Sequence, residues 1–224
     1  MSNIWFTSDT HYDHANIIRF SRRPQFQEGD EVINDEGRAV WASPEIAAER
    51  VKQMNEEMLE AHNALVKPGD TVYHLGDFVI WKGRKSEATK RVEWWLKQLH
   101  GNYHIVWGNH DHTPTRRAEG FASKQYYLEL RNIGLAKDMF VLSHYAMRVW
   151  NKRHHGAIML YGHSHGSLPE DSDALSFDVG VDCHDMRPLH IDEVLSYIRG
   201  KREAIEARGV SWKGSDHHAT SGRD

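Results

Sequence analysis

The sequence contains very little cysteine and no long hydrophobic run. Cys183 is the one thiol in 224 residues, so the chain cannot form an internal disulfide and does not require an oxidising compartment. No apolar stretch approaches the length that crosses a bilayer. The N-terminal residues 1–6 lack the charged and apolar regions of a signal peptide. We therefore expect a soluble, cytoplasmic protein with no membrane partner.

An excess of positive charge is also missing. The chain has 28 Lys and Arg against 32 Asp and Glu, which gives a formal net charge of −4. Because dedicated nucleic-acid binders are usually basic, we expect no stable complex with long DNA or RNA. A nucleotide or a short oligonucleotide is not excluded as a substrate, since bound cations would reverse the local field.

Aromatic residues and histidine are abundant by contrast. Mean hydropathy is −0.69, but eight Trp, eight Tyr and seven Phe supply the bulk of a folded core. Seventeen histidines is an unusual number for a chain of this length. Number alone is weak support for metal binding, so the spacing of these residues must carry that argument.

The first half alternates strand-like and helix-like segments, which predicts the α/β class. Strands are expected at 3–8, 71–75 and 103–107, and helices at 15–20, 44–66 and 85–99. Ser43 is expected to cap the second helix, because it precedes a proline at the first helical position. Residues 21–43 are expected to form a long surface loop.

The second half is richer in strands. They are expected at 125–130, 139–142, 158–161 and 175–181, with the first two paired, before a last helix at 191–207. We expect a single domain over residues 1–208. Residues 209–224 are rich in Gly, Ser and His and are expected to form a flexible tail.

Five short polar blocks each follow a strand-like run. They are Asp9-Thr10-His11, Gly76-Asp77, Gly108-Asn109-His110-Asp111, Ser143-His144 and Gly162-His163-Ser164-His165. Taken alone, most of them could be ordinary turns or solvated polar residues. Because open α/β sheets place their sites at the carboxyl ends of strands, five such blocks in succession predict one shared metal centre.

The residue types within these blocks suit divalent cations. Asp9 and His11, at i and i+2, would point to the same face of an extended backbone and hold one ion. The two carboxylate oxygens of Asp77 could bridge two ions. Asp111 could accept a hydrogen bond from His110 and so fix the tautomer of that ring. Nitrogen and oxygen ligands without thiolate favour Mn, Fe, Zn, Co or Ni over Mg and Ca, with Mn²⁺ expected to support activity in vitro.

These blocks, read as D-x-H, G-D, G-N-H-D, H and G-H-x-H, resemble the calcineurin-like metallophosphoesterase superfamily over about residues 3–190. Residues 9–18 and 177–182 resemble a small bacterial and bacteriophage-type branch of it. The resemblance implies a four-layer α-β-β-α sandwich, in which two mixed sheets are flanked by helices and the metals lie at strand C-terminal ends.

The resemblance also implies how the ligands divide between two ions. One ion would be held by Asp9, His11, Asp77 and His165, and the other by Asp77, Asn109, His144 and His163. His110 would lie just outside the metals as an acid or a phosphate contact. A hydroxide bridging the two ions would then attack phosphorus.

The chain departs from the protein phosphatases of this superfamily. Gly76-Asp77 continues as Phe-Val-Ile-Trp without the phosphate-clamping Arg, and the third block ends in Asp111 instead of Glu. Arg22 and Arg23 could replace that clamp, although solvated surface charge is the favoured interpretation. Both departures indicate a smaller substrate than a phosphoprotein.

Five other residues keep open interpretations. Asp13 and His14 could orient His11, touch substrate or cap the following helix, and orientation or capping is favoured. Asp182, Cys183 and His184 raise the same question, but Cys183 has no partner at ligand spacing and is interpreted as a packing residue.

The expected function is hydrolysis of a phosphodiester, or a phosphomonoester, of a small or nucleotide-type substrate. His110 and Asp111 are the expected catalytic residues. A nuclease of the same superfamily is the first alternative, and a non-catalytic metal-binding scaffold is the second. Oligomeric state, the native metal pair and the physiological substrate have no readable signature in the sequence.

Overall fold

The computed structural model describes residues 2–133 and 136–210. In these ranges the strands are β1 (Ile4–Thr7), β2 (Glu31–Ile33), β3 (Ala39–Trp41), β4 (Thr71–His74), β5 (Asn102–Val106), β6 (Ser123–Gln125), β7 (Leu128–Arg131), β8 (Met139–Leu142), β9 (Ile158–Tyr161), β10 (Ser176–Asp178) and β11 (Leu189–His190). The helices are α1 (Ala15–Phe20), α2 (Pro44–Leu65), α3 (Ala88–Gln98), α4 (Thr113–Arg117) and α5 (Ile191–Ala207).

Two mixed sheets carry the architecture, which confirms the predicted fold class. The first has the strand order β11-β1-β4-β5-β6, with β1, β4, β5 and β6 parallel and β11 antiparallel at one edge. The second has the order β10-β9-β8-β7, with β7 antiparallel to its neighbour. Strands β2 and β3 form a separate two-stranded hairpin.

One of the two large hydrophobic clusters lies between the two sheets. Along β1, Phe6 faces this core while Trp5 faces the opposite side, as the two-residue period of a strand requires. The Phe6 ring stacks on Tyr73 of β4 at 5.6 Å between centroids and on Phe140 of β8 at 5.7 Å. The contact with Phe140 crosses between the sheets and fixes the position of β8 relative to β1, and β1, β4 and β8 are each followed by a predicted metal-binding block.

Helices α2 and α3 cover the other face of the first sheet. Met54 and Met58 of α2 and Trp95 of α3 pack there in one buried cluster with Trp5. The Ser43 side chain accepts a hydrogen bond from the Ile46 amide, which confirms the predicted helix cap. On the outer face of the second sheet, Trp150 of a loop packs against the strands. Helix α5 packs against the core between the two sheets.

Some predicted boundaries were right and others were wrong. The last helix spans Ile191–Ala207 as predicted. The segment 21–43 is not entirely a loop, because β2 and β3 pair within it. The predicted strand 125–130 is divided, since β6 ends in the first sheet at Gln125 and β7 begins in the second at Leu128. Of these two strands, β7 pairs with β8 and β6 pairs with β5.

The limits of the single domain, 1–208, stay a prediction. Residues 211–224 of the expected tail lie outside the described residues. Within the described ranges, no helix has the length and apolar character needed to cross a membrane.

Candidate metal centre

Two groups of candidate metal ligands lie at the carboxyl ends of the central strands. Asp9, His11 and His165 offer ligand atoms that all lie within 4.8 Å of one another. Asp77, His144 and His163 form a second group of the same size and spacing. We call these the first and the second ligand group. Residues from four of the five polar blocks therefore meet in one region, and two of them, Asp9 and His163, are 154 positions apart in the chain.

The Asp77 carboxylate lies between the two groups. Its Oδ2 atom is 3.5 Å from Nε2 of His11 in the first group and 3.6 Å from Nε2 of His144 in the second. Oδ1 of Asn109, the seventh predicted ligand, lies 2.8 Å from the same His144 nitrogen. All seven predicted ligands are thus close together, with one carboxylate oxygen shared between the groups.

The backbone reaches this arrangement through left-handed conformations. Five of these side chains are on non-glycine residues with positive φ, namely Asp9 at 56°, His11 at 49°, Asp77 at 57°, His163 at 70° and His165 at 47°. Our explanation of the Asp9–His11 pair from an extended backbone is therefore wrong, although the two side chains do meet. Strained backbone of this kind tends to concentrate at functional sites.

Two glycines allow the close approach of these turns. A Cβ atom on Gly76, which has φ of 98°, would meet backbone atoms of Gly108 and the His144 ring. A Cβ on Gly162 would overlap the side chains of Ser8 and Asp9. Glycine is therefore required by packing at both positions, and the flanking glycines of the polar blocks serve the site directly.

The buried polar atoms of the site fit divalent cations. Burial raises the pKa of Asp9 to about 7 and that of Asp77 to about 8, because the charged carboxylates have lost water. Oδ1 of Asp9 and both ring nitrogens of His11 are buried and have no hydrogen-bond partner among the residues that the structure describes. Such groups normally have partners, and cations would supply them.

Two of these histidines, His11 and His144, are held in the neutral form that metal binding needs. Burial lowers the pKa of His11 well below its usual range and that of His144 to about 4. Nδ1 of His144 lies 2.8 Å from the Leu75 carbonyl oxygen, which directs the other nitrogen toward Asp77. Nδ1 of His165 lies 2.6 Å from Oδ2 of Asp182.

His110 and Asp111 differ in environment. His110 is exposed, its amide donates to Oδ1 of Asp77 at 2.8 Å, and its ring lies 5.5 Å from the His11 ring. Asp111 is fully buried and accepts from the amides of Asp77, Phe78 and Gly108. The predicted hydrogen bond from the His110 ring to Asp111 is therefore wrong, because the carboxylate faces these backbone amides beneath the site.

The two neighbouring arginines differ in environment. Arg23 is buried and pairs with Asp182, whereas Arg22 is exposed and pairs with Glu31 at 2.6 Å. The interpretation of Arg23 as solvated charge is wrong. The sequence raised Asp182 only as an open question, together with Cys183 and His184, and did not place it among the predicted site residues.

The structure also shows what Asp13 contacts and how exposed Cys183 is. The Asp13 carboxylate accepts from Arg91, Trp95 and Asn55, so it fastens α3 and α2 to the turn that carries His11. His14 occupies the cap position of α1 without a side-chain capping bond. Cys183 is exposed, so its interpretation as a packing residue is wrong.

Comparison with known families agrees with this geometry. The sequence profile of the calcineurin-like phosphoesterases matches residues 2–141, which is more than half of the chain. The chain belongs to the calcineurin-like phosphoesterase family. This membership, together with the two ligand groups, makes it a metal-dependent phosphoesterase.

Several relatives of this phosphoesterase have been sequenced. It is 25% identical over 207 residues to an uncharacterized protein of Methanocaldococcus jannaschii, covering 90% of this chain and 94% of that one. It is also 25% identical to the Gene 66 protein of Mycobacterium phage D29, covering 92% of this chain and 100% of the phage protein.

A solved structure shares the fold. The crystal structure of a protein of unknown function from Aquifex aeolicus matches with a TM-score of 0.55 and 21% identity, and the match covers 88% of this chain and 100% of that one. At this identity the likeness supports the fold alone.

Proposed function

We propose that this phosphoesterase uses two divalent cations to hydrolyse a phosphodiester, or a phosphomonoester, of a small or nucleotide-type substrate. The observation that carries the proposal is the position of Asp77, whose Oδ2 lies 3.5 Å from His11 and 3.6 Å from His144. A carboxylate oxygen shared by two ligand groups suits a pair of ions a few ångströms apart, and such pairs hydrolyse phosphate esters.

The proposed ligands of each ion follow from the two groups. The first ion would be held by Asp9, His11, Asp77 and His165, and the second by Asp77, Asn109, His144 and His163. Imidazole and oxygen ligands without a thiolate suit Mn, Fe, Zn, Co or Ni, and we propose Mn²⁺ as an activating metal in vitro.

The ions would supply a water activated as nucleophile and would offset charge on the phosphate. His110 is the proposed general acid, because its exposed ring lies next to His11 and can reach a leaving oxygen. Asp77 holds the His110 backbone amide in place, and Asp111 holds the amides of the turns on either side. We therefore assign Asp111 a positioning role instead of a catalytic one.

The rim of the site supports a small substrate. Tyr145 is exposed, and its ring lies 4.7 Å from the His163 ring and 5.0 Å from the His144 ring. A ring in this position could stack against a nucleobase or another flat group. The net charge of −4 does not favour a long nucleic acid.

A metal analysis combined with a substrate panel tests the proposal. The protein is stripped with a chelator and reloaded with Mn²⁺. We expect two ions per chain and turnover of bis-p-nitrophenyl phosphate that exceeds turnover of p-nitrophenyl phosphate and of single-stranded DNA. An Asp77→Asn variant should lose both the second ion and the activity.

Other outcomes would redirect the assignment. DNA cleavage at the rate of the small diester would favour a nuclease of the same family. Wild-type protein that binds fewer than one ion per chain, with activity no different from that of Asp77→Asn, would favour a non-catalytic scaffold.

A further inference from the structure

Arg23 is a buried cation that contacts the turn carrying the first ligand group. Its side chain has no exposed surface. Its guanidinium donates to the backbone oxygens of Asp9 at 2.7 Å and Thr10 at 3.0 Å. The same group donates to both carboxylate oxygens of Asp182, each at 2.9 Å. Arg23 thus joins the segment before the β2–β3 hairpin to the metal-binding turn and to the 177–182 segment.

Asp182 connects this arginine to a proposed metal ligand. Its Oδ2 accepts from Nδ1 of His165 at 2.6 Å, which leaves Nε2 of that ring directed toward Oδ1 of Asp9 at 3.9 Å. A carboxylate in this position fixes the tautomer and orientation of a metal-binding histidine. One guanidinium and one carboxylate therefore contact two of the three members of the first ligand group.

The second ligand group is oriented by other contacts. His144 is held by the Leu75 carbonyl oxygen, and Asp77 accepts from the His110 amide. Arg23 and Asp182 have no hydrogen bond with Asp77, His144 or His163, all of which lie in the described part of the chain. The contacts are thus asymmetric between the two groups.

We propose that Arg23 and Asp182 form a positioning clamp that sets the affinity of the first ion and leaves that of the second largely unchanged. This inference rests on the proposed function, because it presumes that both groups bind ions. The clamp residues touch no substrate. They act through the backbone at Asp9 and through the ring of His165.

Manganese binding to the full chain tests the clamp without reference to activity. The variants are Asp182→Asn and Arg23→Lys, which keep side-chain size or charge so that folding is preserved. Each is stripped and titrated with Mn²⁺ by calorimetry and by electron paramagnetic resonance. We expect one ion to bind about 10- to 100-fold more weakly, while the other keeps its dissociation constant within about twofold.

The resonance spectrum shows whether the two-ion centre has been reduced to a single ion. Two neighbouring Mn²⁺ ions in the wild type give an exchange-coupled spectrum, and a single remaining ion gives six lines. Thermal melting of the stripped proteins shows whether the variants fold. A merely structural role for the clamp would lower the melting temperature without selecting one ion.

A matched arginine–aspartate pair serves as the control. Arg50 donates to both carboxylate oxygens of Asp30 at 2.8 and 3.2 Å, and Asp30 is also buried, but neither residue contacts a proposed ligand. Asp30→Asn and Arg50→Lys should keep both ions at wild-type affinity.

Three results would overturn the clamp. Both clamp variants could keep the wild-type Mn²⁺ affinities, both ions could be weakened equally, or the control variants could lose affinity to the same extent. Wild-type protein that binds only one ion contradicts the proposed function. The clamp is then judged on that ion, and an unchanged dissociation constant in both variants overturns it. Wild-type protein that binds no ion contradicts both.

Discussion

At the scale of single residues, His110 allows the catalytic step to be tested separately from metal binding. Its backbone amide contacts Asp77, but the ring itself belongs to neither ligand group. We expect His110→Ala to lower kcat by about two to four powers of ten, because proton donation to the leaving oxygen is lost. Its Mn²⁺ content should stay at the wild-type value, as measured by elemental analysis.

His112→Ala is the control for this experiment. His112 is also exposed, and its ring lies 6.3 Å from that of His110. It should keep kcat close to wild type. If both variants lose activity equally, or if His110→Ala also loses metal, His110 is not the acid.

Residue identities could be predicted from the sequence more readily than their contacts. The seven predicted ligands stand out because buried strand ends rarely carry imidazole and carboxylate side chains together. Their left-handed backbone could not be predicted, because Asp9 and His11 adopt it only under the tertiary contacts of the turn. Arg23 was misread for the same reason, since its partner Asp182 is 159 positions away.

At the scale of secondary-structure elements, Gly162 shows how closely β9 and β1 approach. It follows β9, and a Cβ there would overlap Ser8 and Asp9 beyond the end of β1. We expect Gly162→Ala to displace the turn that carries His163 and His165 and to lower kcat/KM on the order of 100-fold, a cost typical of misplaced catalytic groups. Steady-state kinetics with a small diester measures this.

Gly200→Ala is the matched substitution in α5. A Cβ at this position meets nothing within 4 Å, and Ala is favoured over Gly inside a helix by about 0.5–1 kcal/mol. This variant should be slightly more stable and fully active. Wild-type kinetics for Gly162→Ala would show that the turn can relax without disturbing the ligands.

The cap of α2 gives a second prediction at this scale. The Ser43 side chain accepts from the Ile46 amide at 3.2 Å. Ser43→Ala should lower the free energy of unfolding by about 0.5–2 kcal/mol, whereas Ser43→Asp should retain most of it. Urea denaturation monitored by tryptophan fluorescence measures both. Equal stability of the two variants would mean that the cap contributes little to α2.

Elements with strong local signals were predicted well. The helix at Ile191–Ala207 and the cap at Ser43 follow from side-chain periodicity and local hydrogen bonding. The hairpin β2–β3 and the division between β6 and β7 were missed. Their strands have only three or four residues, so which sheet each joins depends on contacts remote in sequence.

At the scale of the whole molecule, the first sheet supplies the blocks at Asp9, Asp77 and Asn109, and the second supplies those at His144 and His163. Each ligand group has members from both sheets. Metal binding therefore joins the two sheets at their carboxyl ends, and it should stabilise the fold as a whole in proportion to the logarithm of metal concentration.

This coupling predicts how stability depends on pH. Burial raises the pKa of Asp9 to about 7 and that of Asp77 to about 8, above the usual carboxyl value of 3.8. A raised carboxyl pKa means that the folded chain holds protons that the unfolded chain has released. The stability from these groups is complete below the unfolded pKa and is lost as pH rises through the folded pKa.

His11 and His144 act in the opposite direction but in a lower range, whereas the raised pKa of His165 acts in the same direction as the carboxylates. Burial lowers the pKa of His11 and of His144, so their contribution is complete above the usual value of 6.5 and is lost only as pH falls. Between pH 6.5 and about 8 the carboxylates therefore dominate. In chelator, we expect the free energy of unfolding to fall across this window.

Mn²⁺ should reverse that trend, because the ionised carboxylates then have cations as partners and the stabilisation by metal grows with pH. Urea denaturation at several pH values across the window, with chelator and with saturating Mn²⁺, measures both slopes. Asp77→Asn removes one of the two titrating carboxylates and should flatten the slope in chelator. A free energy of unfolding in chelator that is constant or rises with pH would show that burial does not raise the pKa values of Asp9 and Asp77.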